Sequence, residues 1–184
     1  QNGAWEFDFA TKKMELIADP EKDLPENRFN DGKCDPAGRL WVGSMALAQT
    51  PNAAALYRIE GNGASTKMVD SVTISNGIVW SADEKTMYYI DTYKSNVRAY
   101  DYDKATGEIT NEQIAIEIPE SMGYPDGMTI DAEGMLWIAL WNGNVVSRWN
   151  PNTGKLLETI DVPAHNISSC AFGGKDLDTL YITS

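Results

Sequence analysis

The sequence predicts an all-β protein of the β-propeller class, because one structural unit recurs along the chain and its parts have the patterns of strands and turns. The clearest repeat is a turn followed by an apolar strand, which begins at Asp35 (DPAGRLWV), at Ser81 (SADEKTMYY) and at Asp131 (DAEGMLWI). Counted from Asp35, Asp83 and Asp131, successive copies are 48 residues apart. A repeat of this length that contains several short strands is typical of propeller blades.

Other elements recur between these copies. Residues 97–102 and 146–149 alternate large apolar with polar residues, which is the period of two expected of β-strands. A Thr-Gly turn follows each of them, at Thr106 and Thr153. Each unit is therefore expected to contain four strands: a short first strand, an apolar second, an alternating third and an outer fourth. A β-sandwich is the alternative, but sandwiches are not expected to show a superperiod of this length.

The chain holds roughly four such units. The first lacks its inner strands, and the last stops soon after its second strand. We therefore expect residues 1–184 to form a single β-propeller domain that is partial at both ends. An open set of blades leaves unpaired strand edges, so the chain is expected to belong to a longer protein or to pair with missing segments.

Composition narrows the classes of partner. The chain has 27 Asp and Glu against 15 Lys and Arg, a formal charge of -12 that repels nucleic-acid phosphates and anionic lipid headgroups. It has neither an apolar run long enough to span a membrane nor a recognisable signal peptide. We expect no nucleic-acid or membrane partner, a cytoplasmic location with export left open, and a monomer or weak dimer. Cys34 and Cys170 are expected to be buried free thiols.

Side-chain oxygens recur at the start of the first strand in each unit. Asn30, Asn76 and Asp126 stand there, and a glycine that we expect to permit a tight backbone turn follows each one closely. In a propeller the first strands line the central channel, so these residues are expected to form a ring. Hard oxygen ligands of this kind suit a divalent cation with an open coordination position. The alternative is that the Asx-Gly pairs only form turns.

Several other catalytic chemistries lack their residues. His165 is the single histidine, and no Gly-x-Ser-x-Gly, HExxH or glycine-rich phosphate-binding motif is present. His165 is therefore expected to be structural. Arg28 lies two residues before Asn30, and in an extended strand such residues share a face. Its guanidinium is expected either to bind a substrate oxygen or to form a plain salt bridge.

The motifs NRFNDGK from Asn27, ISNG from Ile74, YYIDT from Tyr88 and PDGM from Pro125, in this order, are highly specific. Through them the chain resembles the regucalcin, gluconolactonase and luciferin-regenerating enzyme family, also known for the senescence marker protein. The resemblance implies a six-bladed β-propeller of four-stranded antiparallel blades, one divalent metal ion in the channel, and hydrolysis of sugar lactones or related esters.

The resemblance also implies roles for individual residues. Asn76 and Asp126 would be direct metal ligands, Asn30 would lie beside the metal and the substrate, and Arg28 would bind substrate. The family's metal-binding glutamate belongs to a motif that no residue of 1–27 matches, so the ligand set is incomplete in this chain. A short run at 46–54 replaces the family's lid segment, which leaves the preferred substrate open.

The expected function is thus a metal-dependent lactonase in which the cation polarises the lactone carbonyl and Asp126 also acts as base. A phosphotriesterase or other esterase with the same metal site is an alternative. A non-catalytic calcium-binding regulator or propeller scaffold is another. The cation is expected to be Ca²⁺ or Zn²⁺, with Mg²⁺ and Mn²⁺ also compatible with oxygen ligands.

Overall fold

The computed structural model of the chain describes residues 3–184 and consists of antiparallel β-strands joined by short turns. Within that range the helical segments are two 3₁₀ turns, Thr92–Lys94 and Glu120–Met122, and no helix has the length and apolarity needed to cross a membrane. The strands are β1 (Ala4–Phe7), β2 (Met14–Ala18), β3 (Asn27–Cys34), β4 (Leu40–Ala46), β5 (Ala54–Ile59), β6 (Ser65–Val72), β7 (Ser75–Trp80), β8 (Thr86–Asp91), β9 (Asn96–Tyr102), β10 (Ile109–Glu117), β11 (Tyr124–Ile130), β12 (Leu136–Trp141), β13 (Val145–Asn150), β14 (Lys155–Asp161), β15 (Ser169–Gly173) and β16 (Thr179–Thr183).

The chain divides into two compact units, unit 1 (Gln1–Ser75) and unit 2 (Asn76–Ser184). Unit 1 contains the two-stranded sheet β1-β2 and the four-stranded sheet β3-β4-β5-β6. Unit 2 contains the four-stranded sheets β7-β8-β9-β10 and β11-β12-β13-β14 and the two-stranded sheet β15-β16. The predicted fold class, all-β with four-stranded antiparallel blades, is therefore confirmed. The count of six blades stays a prediction, as does a single domain over 1–184.

In the β11–β14 sheet, the second strand is packed on both of its faces. In β12, Leu136, Ile138 and Leu140 belong to an apolar cluster shared with the β7–β10 sheet. The alternate residues Trp137 and Ala139 belong to a second cluster with residues of β15 and of the loop before it. A strand buried on both faces reads as a continuous apolar run, which explains why the sequence shows no alternation at 136–140.

An aspartate holds the turn between the first and second strands of the β11–β14 sheet. Asp131 Oδ1 accepts hydrogen bonds from the backbone N–H groups of Glu133 and Met135, each at 2.9 Å. Its Oδ2 accepts from Trp137 Nε1 at 2.9 Å and from Arg148 Nε at 2.8 Å. Burial by itself would raise the pKa of Asp131, but the Met135, Trp137 and Arg148 donors together hold that pKa below its usual range.

Asp35 makes the same backbone and tryptophan contacts in the β3–β6 sheet, but its arginine partner, Arg39, comes from the turn and not from the third strand. Its Oδ1 accepts from the backbone N–H groups of Ala37 and Arg39, each at 2.9 Å. Its Oδ2 accepts from Arg39 Nε at 2.7 Å and from Trp41 Nε1 at 3.0 Å. The repeated sequence Asp-x-x-Gly-x-x-Trp is therefore a structural device that joins a turn to the strand after it.

The equal 48-residue spacing does not connect structurally equivalent residues, because Asp83 does not hold the place of Asp35 and Asp131. In the β7–β10 sheet the turn begins at Ser81, because Glu84 donates its backbone N–H to the carbonyl of Ser81. Gly38 and Gly134 make the same bond to Asp35 and Asp131, and Gly38, Glu84 and Gly134 all have a positive φ. Counted from equivalent turn residues, the intervals are 46 and 50. Asp83 instead accepts a hydrogen bond from Ser81 Oγ at 2.6 Å.

The prediction that both cysteines are buried was wrong for Cys34. Cys170 is buried in the cluster beside β12, and its thiol faces the carbonyl of Trp137 at 3.4 Å. Cys34 is exposed because it is the last residue of β3, next to the Asp35 turn. Both are free thiols, as expected.

Asp131→Asn is expected to lower the free energy of unfolding at neutral pH by about 2 kcal/mol, the range for hydrogen bonds to a charged group. In this variant, an amide whose oxygen still accepts from Met135 turns its N–H₂ group toward Trp137 and Arg148. Both of these are donors, so the two hydrogen bonds are lost. The pKa of Asp131 in the folded protein lies below its unfolded value of 3.8. Its contribution to the free energy of unfolding is therefore present above pH 3.8 and is lost as the pH falls through the folded pKa. Urea unfolding at neutral and strongly acidic pH should show the deficit shrinking in acid. The exposed Asp161→Asn is the control; an equal Asp131→Asn deficit at both pH values would contradict this role.

Candidate metal and substrate site

Asn30, Asn76 and Asp126 occupy one equivalent position in three first strands. Each lies five residues before the residue that begins the following turn. Those turn residues are Asp35, Ser81 and Asp131. The repeat thus places a side-chain oxygen at the equivalent position of the first strand in three sheets. Asn30 belongs to unit 1, and Asn76 and Asp126 belong to unit 2.

Two of these residues stand in irregular parts of their strands. The register of β3 against β4 shifts around Asn30, between residues 29 and 32. The register of β11 against β12 shifts around Asp126, between residues 125 and 128. A β-bulge bends the strand and re-aims the side chain at that point, and bulges are common beside functional sites. The equivalent bulges therefore mark Asn30 and Asp126 as positions where regular pairing gives way to another requirement.

Asn76 is buried, with 6% of its surface exposed, and its amide is held by a hydroxyl group. Its Nδ2 donates to Thr92 Oγ1 at 2.7 Å, and Thr92 Oγ1 donates to the backbone carbonyl of Pro125 at 2.8 Å. Pro125 immediately precedes Asp126, whose side chain is half-buried. Within unit 2, two hydrogen bonds therefore link the Asn76 side chain to the strand that carries Asp126.

The glycines after Asn76 and Asp126 serve a purpose that the sequence did not indicate. A Cβ added at Gly77 would lie 2.6 Å from Met128 Cβ and 2.9 Å from the carbonyl oxygen of Asp126. A Cβ added at Gly127 would lie 2.3 Å from Ser169 Oγ. Neither glycine has a positive φ. The expected tight backbone turn is therefore wrong, and glycine is needed because consecutive first strands approach closely.

The two predicted substrate-binding residues lie in unit 1. Arg28 is exposed, and its Nη1 donates to the carbonyl of Phe29 at 3.0 Å. Within residues 3–184 Arg28 forms no salt bridge, so the plain ion pair considered as its alternative role is not found. Asn30 is half-buried, and its Nδ2 donates to the carbonyl of Ser75 at 2.8 Å. Ser75 is the residue before Asn76 in the chain.

A buried carboxylate in unit 1 was missed by the sequence reasoning. Glu21 is 5% exposed and accepts hydrogen bonds from Ser44 Oγ at 2.7 Å, Tyr57 Oη at 3.1 Å and Asn27 Nδ2 at 3.1 Å. Burial and the neighbouring Glu21 carboxylate raise the pKa of Tyr57. These contacts fix the start of β3, and nothing in the local sequence of Glu21 distinguishes it from an exposed acidic residue.

The donor chemistry of the candidate residues fits a hard divalent cation. Asp126 contributes a half-buried carboxylate. The Asn76 amide turns its nitrogen toward Thr92, which directs its carbonyl oxygen away from that contact. Oxygens from carboxylates and amides are ligands that Ca²⁺ accepts readily. Within residues 3–184 no three or more His, Cys, Asp or Glu side chains are grouped so as to hold a metal ion; the predicted set differs from such a group because Asn30 and Asn76 are amides.

Comparison with known proteins gives a consistent result. The family described as SMP-30/Gluconolactonase/LRE-like region matches residues 1–184. Regucalcin of Danio rerio is 44% identical over 179 residues, which cover 96% of this chain and 60% of regucalcin. The Bacillus subtilis (strain 168) protein YvrE, provisionally named a sugar lactone lactonase, is 42% identical over 185 residues, which cover 100% of this chain and 63% of YvrE.

A solved structure agrees with both the sequence and the fold. The crystal structure described as a calcium-binding protein, regucalcin, from Agrobacterium tumefaciens is 34% identical, with a TM-score of 0.94. The match covers 100% of this chain and 62% of that one. The chain thus spans about 60% of the length of the curated relatives described above.

Gly77→Ala is expected to destabilise the protein by about 1–3 kcal/mol, the usual cost of inserting a methyl group into a packed region. The new Cβ would meet Met128 and the backbone of Asp126, which cannot move as a flexible side chain can. Gly61→Ala is the matched control, since a Cβ at Gly61 meets nothing within 4 Å. Thermal unfolding of both variants measures the difference. Equal stability of the two would contradict the close approach at Gly77.

Proposed function

Because the chain belongs to the SMP-30/gluconolactonase/LRE-like family, we propose that the protein containing it is a divalent-cation-dependent hydrolase that opens sugar lactones. The observation that carries the proposal is the link between Asn76 and the Asp126 strand through Thr92. It supports a shared role for two oxygen-bearing side chains that are far apart in sequence. YvrE, which is provisionally named a sugar lactone lactonase, supports the choice of substrate class.

Asn76 and Asp126 would hold the cation, with Asn30 beside it. When bound, a divalent cation supplies Lewis-acid polarisation of an ester carbonyl. The Asp126 carboxylate would accept a proton from the attacking water, a role that needs no histidine. The new C–O bond forms at the lactone carbonyl carbon, the ring C–O bond breaks, and the proton passes to the departing ring oxygen. The product is a hydroxy acid.

Arg28 and Asn30 would orient the substrate. A sugar lactone carries several hydroxyl groups beside its ester, and these need both donors and acceptors. The Arg28 guanidinium has donors only, whereas an amide such as that of Asn30 can both donate and accept. Within unit 1 the hydrogen bond from Asn30 Nδ2 to the carbonyl of Ser75 fixes the direction of the Asn30 amide.

We propose Ca²⁺ as the first cation to test. The ligands are all oxygens, which suits Ca²⁺, Mg²⁺ and Mn²⁺, and Zn²⁺ also accepts carboxylate oxygen. A relative that is 34% identical is described as a calcium-binding protein, which supports calcium. The same description supports a second candidate function, a calcium-binding protein without catalytic turnover. The two functions differ in one measurable respect, the hydrolysis of a lactone.

The test is hydrolysis of gluconolactone by the full-length protein after chelation and after addition of single cations. We expect activity to require a divalent cation and Asp126→Ala to lower kcat by about 10²- to 10⁴-fold, the range for loss of a general base. Asp161→Ala removes an exposed carboxylate at the end of β14 and is the matched control. A phosphotriester substrate is assayed in parallel.

Three results would count against the proposal. Cation binding without turnover of any lactone would favour the calcium-binding protein, and turnover of the phosphotriester alone would favour the phosphotriesterase. Unchanged activity in Asp126→Ala would remove Asp126 from the reaction.

A further inference from the structure

The Thr92 hydroxyl lies between a donor and an acceptor, and this decides which way the Asn76 amide faces. Thr92 Oγ1 is 2.8 Å from the carbonyl oxygen of Pro125 and 2.7 Å from the Asn76 amide. A carbonyl can only accept, so the single hydroxyl proton is directed to Pro125. The oxygen of Thr92 must then accept, and of the two ends of the Asn76 amide only the nitrogen can donate. The Asn76 carbonyl oxygen is therefore the end that is turned away from Thr92.

We infer that Thr92 is a positioning residue that makes Asn76 present its Oδ1, rather than its Nδ2, to a bound cation; this rests on the proposed function. The two ends of an asparagine amide have nearly the same size and shape but opposite polarity. An N–H₂ group facing a cation is repelled, whereas a carbonyl oxygen is a ligand. Thr92 removes the wrong orientation before the cation arrives, and its bond to Pro125 holds the orientation relative to the Asp126 strand.

The repeat supplies an internal comparison that argues against a purely architectural role. The turn before β8 is one residue longer than the other two, because the N–H of Ser81 bonds to the carbonyl of Thr86, five residues on, where Asp35 and Asp131 each bond four residues on. Tyr88 therefore corresponds to Trp41 and Trp137, and Thr92 lies four residues after it. Four residues after those tryptophans stand Met45 and Trp141, which carry no hydroxyl. The four-stranded sheet therefore forms without a hydroxyl at this position. In the β3–β6 sheet the Asn30 amide is oriented instead by its bond to the carbonyl of Ser75, and in the β11–β14 sheet the equivalent residue is the carboxylate of Asp126, whose two oxygens need no orienting. The hydroxyl is present in the sheet whose first strand carries Asn76.

The asparagine also offers a test that separates orientation from general support. A carboxylate has two equivalent oxygens, so in an Asn76→Asp protein either orientation presents an oxygen to the cation. Thr92 then has nothing to select. Loss of the hydroxyl is expected to weaken cation binding when residue 76 is Asn and to have little effect in the Asn76→Asp background. A hydroxyl that merely supports the fold would have the same effect in both backgrounds.

The experiment is calorimetric titration of the full-length protein with CaCl₂ after chelation, with each variant first shown to be folded by circular dichroism. Thr92→Val is expected to weaken binding about 10- to 100-fold, the range for loss of a partner that orients a metal ligand. Thr92→Ser keeps the hydroxyl and should bind close to the unsubstituted value. Thr86→Val makes the same change at the opposite end of β8 and is the matched control.

The outcomes are distinguishable. Weakening by Thr92→Val that is rescued by serine and absent in the Asn76→Asp background supports the inference. Equal binding by Thr92→Val and the unsubstituted protein, or equal weakening in both backgrounds, overturns the inference and leaves the proposed function standing. If the unsubstituted protein binds none of Ca²⁺, Zn²⁺, Mg²⁺ or Mn²⁺, the proposed function and the inference both fail.

Discussion

The close approach of consecutive first strands in unit 2 is the constraint on which the candidate site depends. At Gly77 there is no room for a Cβ between β7 and the backbone of Asp126 and Met128. At the next junction Gly127 donates its backbone N–H to the carbonyl of Ser168. A side chain at either glycine would push the strands apart. Residues that are 50 positions apart in sequence, such as Asn76 and Asp126, can serve one cation only if this spacing is kept.

The repeat carries two different kinds of information. At the turn, Asp35 and Asp131 each accept hydrogen bonds from two backbone N–H groups, the following tryptophan and an arginine. These contacts join the turn to the sheet. Five positions before these two aspartates stand Asn30 and Asp126, which are candidate site residues. The repeat therefore places a structural aspartate and a candidate site residue at a fixed separation along the chain.

The sequence predicted the elements of the repeat better than their details. Strand type, strand order and antiparallel pairing followed from alternation and turn residues, which are local properties. Asp83 was chosen as the equivalent of Asp35 because both are aspartates at a regular interval. The turn geometry shows that Ser81 holds the corresponding place. The exposure of Cys34 depends on where β3 ends, and the buried contacts of Glu21 depend on strands that are distant in sequence.

The sequence by itself determined the family, the all-β class and the candidate residues Arg28, Asn30, Asn76 and Asp126, because these follow from short motifs and their order. Only the tertiary structure decided that Asn30 and Asp126 lie at bulges, that Gly77 and Gly127 are required by neighbouring strands, and that Thr92 orients the Asn76 amide. The physical reason is that each of these depends on a contact between strands from different sheets or on the register between paired strands. Sequence order carries the residue types of such a contact but neither its distance nor its direction.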